Sequence, residues 1–196
     1  MRSEIGALAE ALAVHPVIAA VRTPEAARRA AQSPVAAVFL LGGSILTLPE
    51  MAAALRQAGK PVFLHLDLAE GLGRDEAAVT WCVQALGLTG VISTRPTLLK
   101  TAAELGALTI QRLFLMDSTS FEHGKRLLRN TPPDMAEVLP GIAPKAIRQL
   151  SEALRKPVIA GGMISEAEEV RAALAAGALA VSASEERLWR LNAQEL

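Results

Sequence analysis

Short runs of Val, Ile, Leu and Ala recur along the chain, separated by longer stretches in which apolar positions return every three or four residues. The first kind reads as buried strands and the second as helices with one apolar face. Strands are expected over residues 17–21, 36–41, 62–67, 90–93, 109–115, 135–139, 158–160 and 178–182. Helices are expected between and after them, over 24–32, 48–58, 74–87, 97–105, 120–130, 144–155, 166–176 and 185–191. Strict alternation of the two kinds is the pattern of repeated βα units, in which a parallel sheet is covered by helices.

Local punctuation agrees with this division. Thr47 with Glu50, Thr119 with Glu122, Ser165 with Glu168 and Ser182 with Glu185 read as capping boxes at helix starts. Pro24 and Pro144 suit first helical turns, and Gly59, Gly87, Gly106 and Gly177 suit helix ends. Eight units in 196 residues leave roughly 24 residues each, which predicts a compact (β/α)8 TIM-type barrel of the α/β class near the lower size limit of that fold. An extra N-terminal helix over residues 3–14 precedes the first strand and is expected to close the barrel floor. No Pro/Ser-rich linker or low-complexity tract divides the chain, so residues 1–196 are expected to form a single domain. An open doubly wound sheet is the competing architecture. It usually carries a glycine-rich first turn, whereas here that turn reads Arg22-Thr23-Pro24-Glu25.

Composition narrows the function classes. Lys plus Arg and Asp plus Glu number 20 each, which argues against indiscriminate binding to a polyanion. Aromatics are only 3% of residues and Tyr is absent, which weakens any reading based on bases stacked on an aromatic platform. The single cysteine, Cys82, excludes an internal disulfide framework. The longest apolar runs, such as 35–41 and 105–110, fall far short of a membrane span, and Glu4 and Glu10 interrupt the apolar start. A cytoplasmic protein with no membrane partner is the expectation.

In a (β/α)8 barrel the working face lies at the carboxyl ends of the strands. The polar residues there include Arg22, His65 with Asp67, Ser93-Thr94-Arg95, Gln111 with Arg112, Asp117, Glu137, Gly161-Gly162, and Ser182 with Ser184. Glycines at the seventh strand end and hydroxyls at the eighth suit a phosphate held by backbone amides, so Gly161, Gly162, Ser182 and Ser184 are candidate ligand contacts. Arg22 or Arg112 would add positive charge. Asp67 and Glu137 could accept hydrogen bonds from ligand hydroxyls or form barrel salt bridges, and the sequence leaves both open. Only one of Gln111 and Arg112 can face the lumen. His65, deeper in its strand, reads as a hydrogen-bonded core residue. No catalytic set emerges: Ser182 has no base partner, Cys82 lies in a packed helix, and His15, His65 and His123 lack metal-ligand spacing. Neither metal nor cofactor is expected. The enzymatic alternative is a phosphosugar isomerase or lyase using Asp67 or Glu137 as base and Arg112 as electrostatic stabiliser.

Lys125, Arg126 and Arg129 in the fifth predicted helix after the first strand, and Lys145, Arg148, Arg155 and Lys156 around the sixth, form a basic neighbourhood that could hold RNA phosphates. The plainer reading is two solvated helix faces.

A set of motifs spanning about residues 14 to 191 resembles the glycerol-3-phosphate-responsive antiterminators. The matching pieces are Pro16-Val17-Ile18-Ala19-Ala20-Val21-Arg22, Lys60-Pro61-Val62-Phe63-Leu64-His65-Leu66-Asp67-Leu68 with Glu70-Gly71-Leu72, Val91-Ile92-Ser93-Thr94-Arg95, and Thr109-Ile110-Gln111-Arg112 followed by Asp117-Ser118. Glu137-Val138-Leu139-Pro140-Gly141 and Val158-Ile159-Ala160-Gly161-Gly162 complete the set. The resemblance implies a barrel that binds glycerol 3-phosphate and, when loaded, acts on the leader mRNA of glycerol-utilisation operons. It places the phosphate against Gly161, Gly162, Ser182 and Ser184 and the glycerol end near Asp67 and Glu137. The eighth turn, Ser182-Ala183-Ser184-Glu185, departs from the fuller hydroxyl run associated with relatives. Homo-oligomerisation is left open.

Overall fold

In a computed structural model of the chain, which describes residues 2–154, 156–194 and 196, eight parallel strands close into a barrel in sequence order. They are β1 (Val17–Val21), β2 (Val38–Leu40), β3 (Val62–His65), β4 (Gly90–Ser93), β5 (Leu108–Phe114), β6 (Met135–Leu139), β7 (Val158–Gly161) and β8 (Ala180–Ala183). The helices are α1 (Arg2–Val14), α2 (Pro24–Ala31), α3 (Leu48–Gln57), α4 (Glu76–Thr80), α5 (Pro96–Glu104), α6 (Ser118–Asn130), α7 (Pro144–Ala153) and α8 (Ala167–Ala175). α1 precedes the barrel, and its Leu8 and Leu12 join the lumen cluster from below, so the expected floor helix is present. Among the described residues no helix is long and apolar enough to cross a membrane.

Side chains alternate between lumen and helix layer along each strand. The tilt of the strands makes a level ring climb one residue per strand. Ala20 pairs through Phe39 with Phe63, so the residue level with Ala20 on β3 is His65. His65 pairs through Ile92 with Ile110, which brings Arg112 to the same height. Arg112 pairs through Glu137 with Ile159, giving Gly161, and Gly161 pairs through Ser182 with Ile18, which returns to Ala20. The same climb sets Phe39, Ile92, Glu137 and Ser182 one level lower, Ile18, Phe63, Ile110 and Ile159 below them, and Ala37, Gly90, Met135 and Ala180 near the floor. The lower rings are apolar and buried. Phe39 and Phe63 meet edge to face at 5.6 Å. Gly90 has to lack a side chain, because a Cβ there would lie 2.5 Å from the Phe63 ring.

Several boundaries differ from expectation for identifiable reasons. β3 ends at His65 rather than 67, and a 3-10 turn (Leu66–Leu68) follows. That turn delivers Asp67 to the Thr94 amide and the Ser93 hydroxyl. β8 covers Ala180–Ala183 rather than 178–182. The long helix expected over 74–87 splits into α4, capped by Asp75, and a π-helical turn (Trp81–Ala85). The final segment is a 3-10 turn (Glu186–Arg190), pinned by the Trp189 indole donating to the Ala183 carbonyl at 2.8 Å. α6 starts at Ser118, where Asp117 and Ser120 form the capping box in place of Thr119 and Glu122. At α8, Glu169 rather than Glu168 reaches back, accepting from the Ser165 and Glu166 amides. Thr47 makes no side-chain cap bond to its helix, and Ser182 is a strand residue that donates to Glu137. Arg155, expected at the end of the sixth helix and in the basic neighbourhood, lies outside the described residues.

Candidate functional site

The two uppermost lumen rings break the apolar pattern: His65, Arg112, Glu137 and Ser182 are polar, and Ala20 and Gly161 are small. Arg112, rather than Gln111, faces inward. Its Nε donates to Glu137 Oε2 at 2.7 Å, and the pair is almost wholly buried, with side chains 5% and 0% exposed. Glu137 Oε1 accepts from the Ser182 hydroxyl at 2.7 Å. Both carboxylate oxygens are thereby occupied, which offsets the cost of burying the charge. The bond also uses the only proton of Ser182, whose oxygen can then accept but not donate. Gly161 makes room for this chain, since a Cβ there would stand 2.6 Å from both Glu137 Oε1 and Ser182 Oγ. Gln111, on the other face, is buried and donates to the Ser93 and Arg112 carbonyls.

Above the ion pair a cavity of about 200 Å³ opens to the mouth, lined by Ala20, Arg22, Leu41, Arg112, Glu137, Leu139, Gly162, Met163, Ile164, Ser182, Ala183 and Ser184. Arg22 is exposed and forms no ion pair with any described residue, and Arg112 keeps its two Nη groups free of the Glu137 bond. Gly162 and Met163 both have positive φ, 78° and 63°. A non-glycine residue there is uncommon and costs the backbone free energy. Among the described residues, the amides of Gly162, Met163, Ser184 and Glu185 donate to no protein group. Two turns with unspent N–H groups, flanked by two guanidinium groups, make a concave site for an anion.

The opposite rim carries a second polar corner. Asp67 Oδ2 accepts from Ser93 Oγ at 2.7 Å and the Thr94 amide at 2.9 Å, while Arg95 Nε stands 3.3 Å from Oδ1 without hydrogen-bond alignment. His65 is buried, and its Nδ1 has no partner, lying 3.6 Å from Asp67 Oδ2. The expected hydrogen-bonded core histidine is therefore a core histidine with an unfilled nitrogen. Burial, then the charges of Arg112 and Arg22, push its pKa down to about 4 against the opposing pull of Asp67, so the ring is neutral at neutral pH. Burial pushes the Cys82 thiol up to about 12, leaving it unreactive. No cluster of metal-ligating side chains occurs among the described residues.

Of the predicted residues, Arg22, Arg112, Glu137, Gly162, Ser182 and Ser184 line one cavity, and Gly161 abuts it through Glu137 and Ser182. Asp67 sits apart, on the β3 side. Sequence reasoning missed Met163, whose left-handed backbone has no sequence signal, and the unfilled nitrogen of His65. The basic residues form a separate group on the neighbouring helices α6 and α7. Lys125 pairs with Glu122 at 2.9 Å and lies over the Phe121 ring, and Arg126 contacts His123. Arg129, Lys145 and Arg148 are exposed and form no ion pair with any described residue.

The family model described as glycerol-3-phosphate responsive antiterminator matches residues 17–189. The chain is 35% identical to the uncharacterized protein YgcP of Escherichia coli (strain K12) over 177 residues, covering 90% of this chain and 93% of that protein. A glycerol uptake operon antiterminator regulatory protein from Listeria monocytogenes superposes with a TM-score of 0.84 at 33% identity, covering 88% of this chain and 94% of that one. A glycerol uptake operon antiterminator-related protein from Thermotoga maritima gives 0.80 at 31% identity, covering 91% and 99%.

Proposed function

The chain belongs to the glycerol-3-phosphate-responsive antiterminator family, and from that premise we propose that its barrel mouth binds glycerol 3-phosphate and that the loaded protein acts on leader RNA. The observation that carries this reading is the concentration of unspent donors around one cavity. The amides of the β7 and β8 turns, Arg22 and the Nη groups of Arg112 surround a space of about 200 Å³. A dianionic phosphate matches those donors. Gly161, Gly162 and Ser184 contribute backbone approach and a hydroxyl, while Ser182 acts through Glu137.

The reading is regulatory rather than enzymatic. Glu137 is held by Arg112 and Ser182, and Asp67 by Ser93 and Thr94, so neither carboxylate is poised to take a proton from a ligand. No lysine lines the cavity. The ion pair instead joins β5 to β6, the strands that lead into α6 and α7. Ligand contact with Arg112 thus has a short covalent path to the helices bearing Lys125, Arg126, Arg129, Lys145 and Arg148, the RNA face in this proposal. Loading shifts an equilibrium between two arrangements only if the ligand binds them unequally.

Calorimetric titration with glycerol 3-phosphate, glycerol and inorganic phosphate tests the site. Saturable binding of the phosphate ester and none of glycerol is expected, and loss of that binding is expected in Arg22→Ala. Equal affinity for glycerol and its phosphate would end the proposal. Leader-RNA affinity measured with and without glycerol 3-phosphate tests the switch, and an identical affinity would remove it.

A further inference from the structure

Every residue of β5 is buried except the last, Phe114, which is 52% exposed. A single exposed apolar side chain is ordinary in itself. What sets Phe114 apart is where it stands. At the top of β5, against α6, an open groove of about 850 Å³ is lined by Leu113, Phe114, His123, Gly124, Arg126 and Leu127. Gly124 lets α6 pack close to β5, since a Cβ there would come within 3.1 Å of the Leu113 side chain. Among the described residues Arg112 alone lines both this groove and the cavity between the β7 and β8 turns.

We propose that the groove takes one unpaired RNA base, stacked on Phe114, with the adjoining phosphates on Arg126 and Arg129. The inference rests on the reading of α6 and α7 as the RNA face, and it makes that face selective for single strands. The charge beside the groove points to this occupant. α6 carries Lys125, Arg126 and Arg129 against Glu122 alone, and α7 carries Lys145 and Arg148 against Glu152 alone, in a chain with no formal net charge. That surplus attracts a polyanion and offers nothing to an apolar protein segment. Arg126 donates to His123 Nδ1 at 3.2 Å, and Arg129, three residues on, shares its face of the helix. Neither guanidinium forms an ion pair with any described residue. One exposed ring is too few for a platform of stacked bases, in keeping with the 3% aromatic content, but it suffices for one base turned out of a strand. In a duplex the base faces are covered by their neighbours, so paired RNA reaches the cations but not the groove.

Fluorescence anisotropy of the full chain, loaded with glycerol 3-phosphate, is measured against a randomised single-stranded RNA of about 12 nucleotides and an RNA duplex of the same length. The single strand should bind more tightly than the duplex. Phe114→Leu should weaken single-strand binding about tenfold and leave duplex binding unchanged, with a melting curve to verify that the variant folds. Phe114→Trp keeps a stacking face and should retain single-strand affinity. The emission it adds should be quenched by the single strand and not by the duplex. Unchanged single-strand affinity in Phe114→Leu, or an equal loss for both RNAs, overturns the base pocket, leaves the groove to an apolar partner and leaves the RNA face standing. A native chain that binds neither RNA overturns both.

Discussion

Arg112 and Glu137 carry opposite charges in a place almost closed to water, so each depends on the other. Replacing Arg112 with Met strands the Glu137 carboxylate and should destabilise the fold by about 3–5 kcal/mol in urea denaturation. The double variant Arg112→Met, Glu137→Leu should lose much less than the two single costs added together. His65 gives a pH signature. Its pKa is lowered in the folded protein to about 4, so the unfolded chain takes up the extra proton first. The stability contributed by keeping it neutral is complete above the ordinary histidine value and is lost as pH falls from about 6.5 towards 4, on the order of 3 kcal/mol. The stability curve of His65→Leu should be correspondingly flatter across that window. At this scale the sequence shows which polar residues stand at strand ends. It does not show that Glu137 meets Ser182, 45 positions away, because that contact exists only when β7 offers a glycine between them.

Helices and strands were legible as a succession but less so at their edges. Alternating apolar runs dictate eight strands because a parallel strand covered on both faces has to be apolar on both. Gly59, Gly87, Gly106 and Gly177 all take positive φ, as helix ends require. Capping boxes were less legible, since Ser, Thr, Asp and Glu recur closely enough for two frames to fit. At α6 the frame is set by Asp117, which accepts from the Ser120 amide at 2.7 Å while Ser120 Oγ accepts from the Asp117 amide at 2.9 Å. The bond from the Ser120 amide, first among its causes, holds the Asp117 carboxyl below the usual carboxylate range. Asp117→Ala should therefore lower the melting temperature by a few degrees, while Thr119→Ala leaves it nearly unchanged. Equal effects in a thermal scan would return the cap to Thr119.

For the whole molecule, charge and topology act together. The chain has no formal net charge, so any affinity for RNA has to come from where the charges lie. If α6 and α7 form that face, replacing Lys145 and Arg148 with Ala should weaken leader-RNA binding similarly across sequences. It should also flatten the dependence of log affinity on log salt by nearly two, measured by filter binding over a salt series. The climbing rings of the lumen have a further consequence for how such a chain can change length. An extra residue inside β5 would exchange Arg112 with Gln111, send the guanidinium outward among the helices and leave Glu137 stranded. The same insertion in the loop after Leu46, which is 86% exposed, would displace nothing in the lumen. Natural variation in length should accordingly gather in the βα connections, with every strand keeping its count.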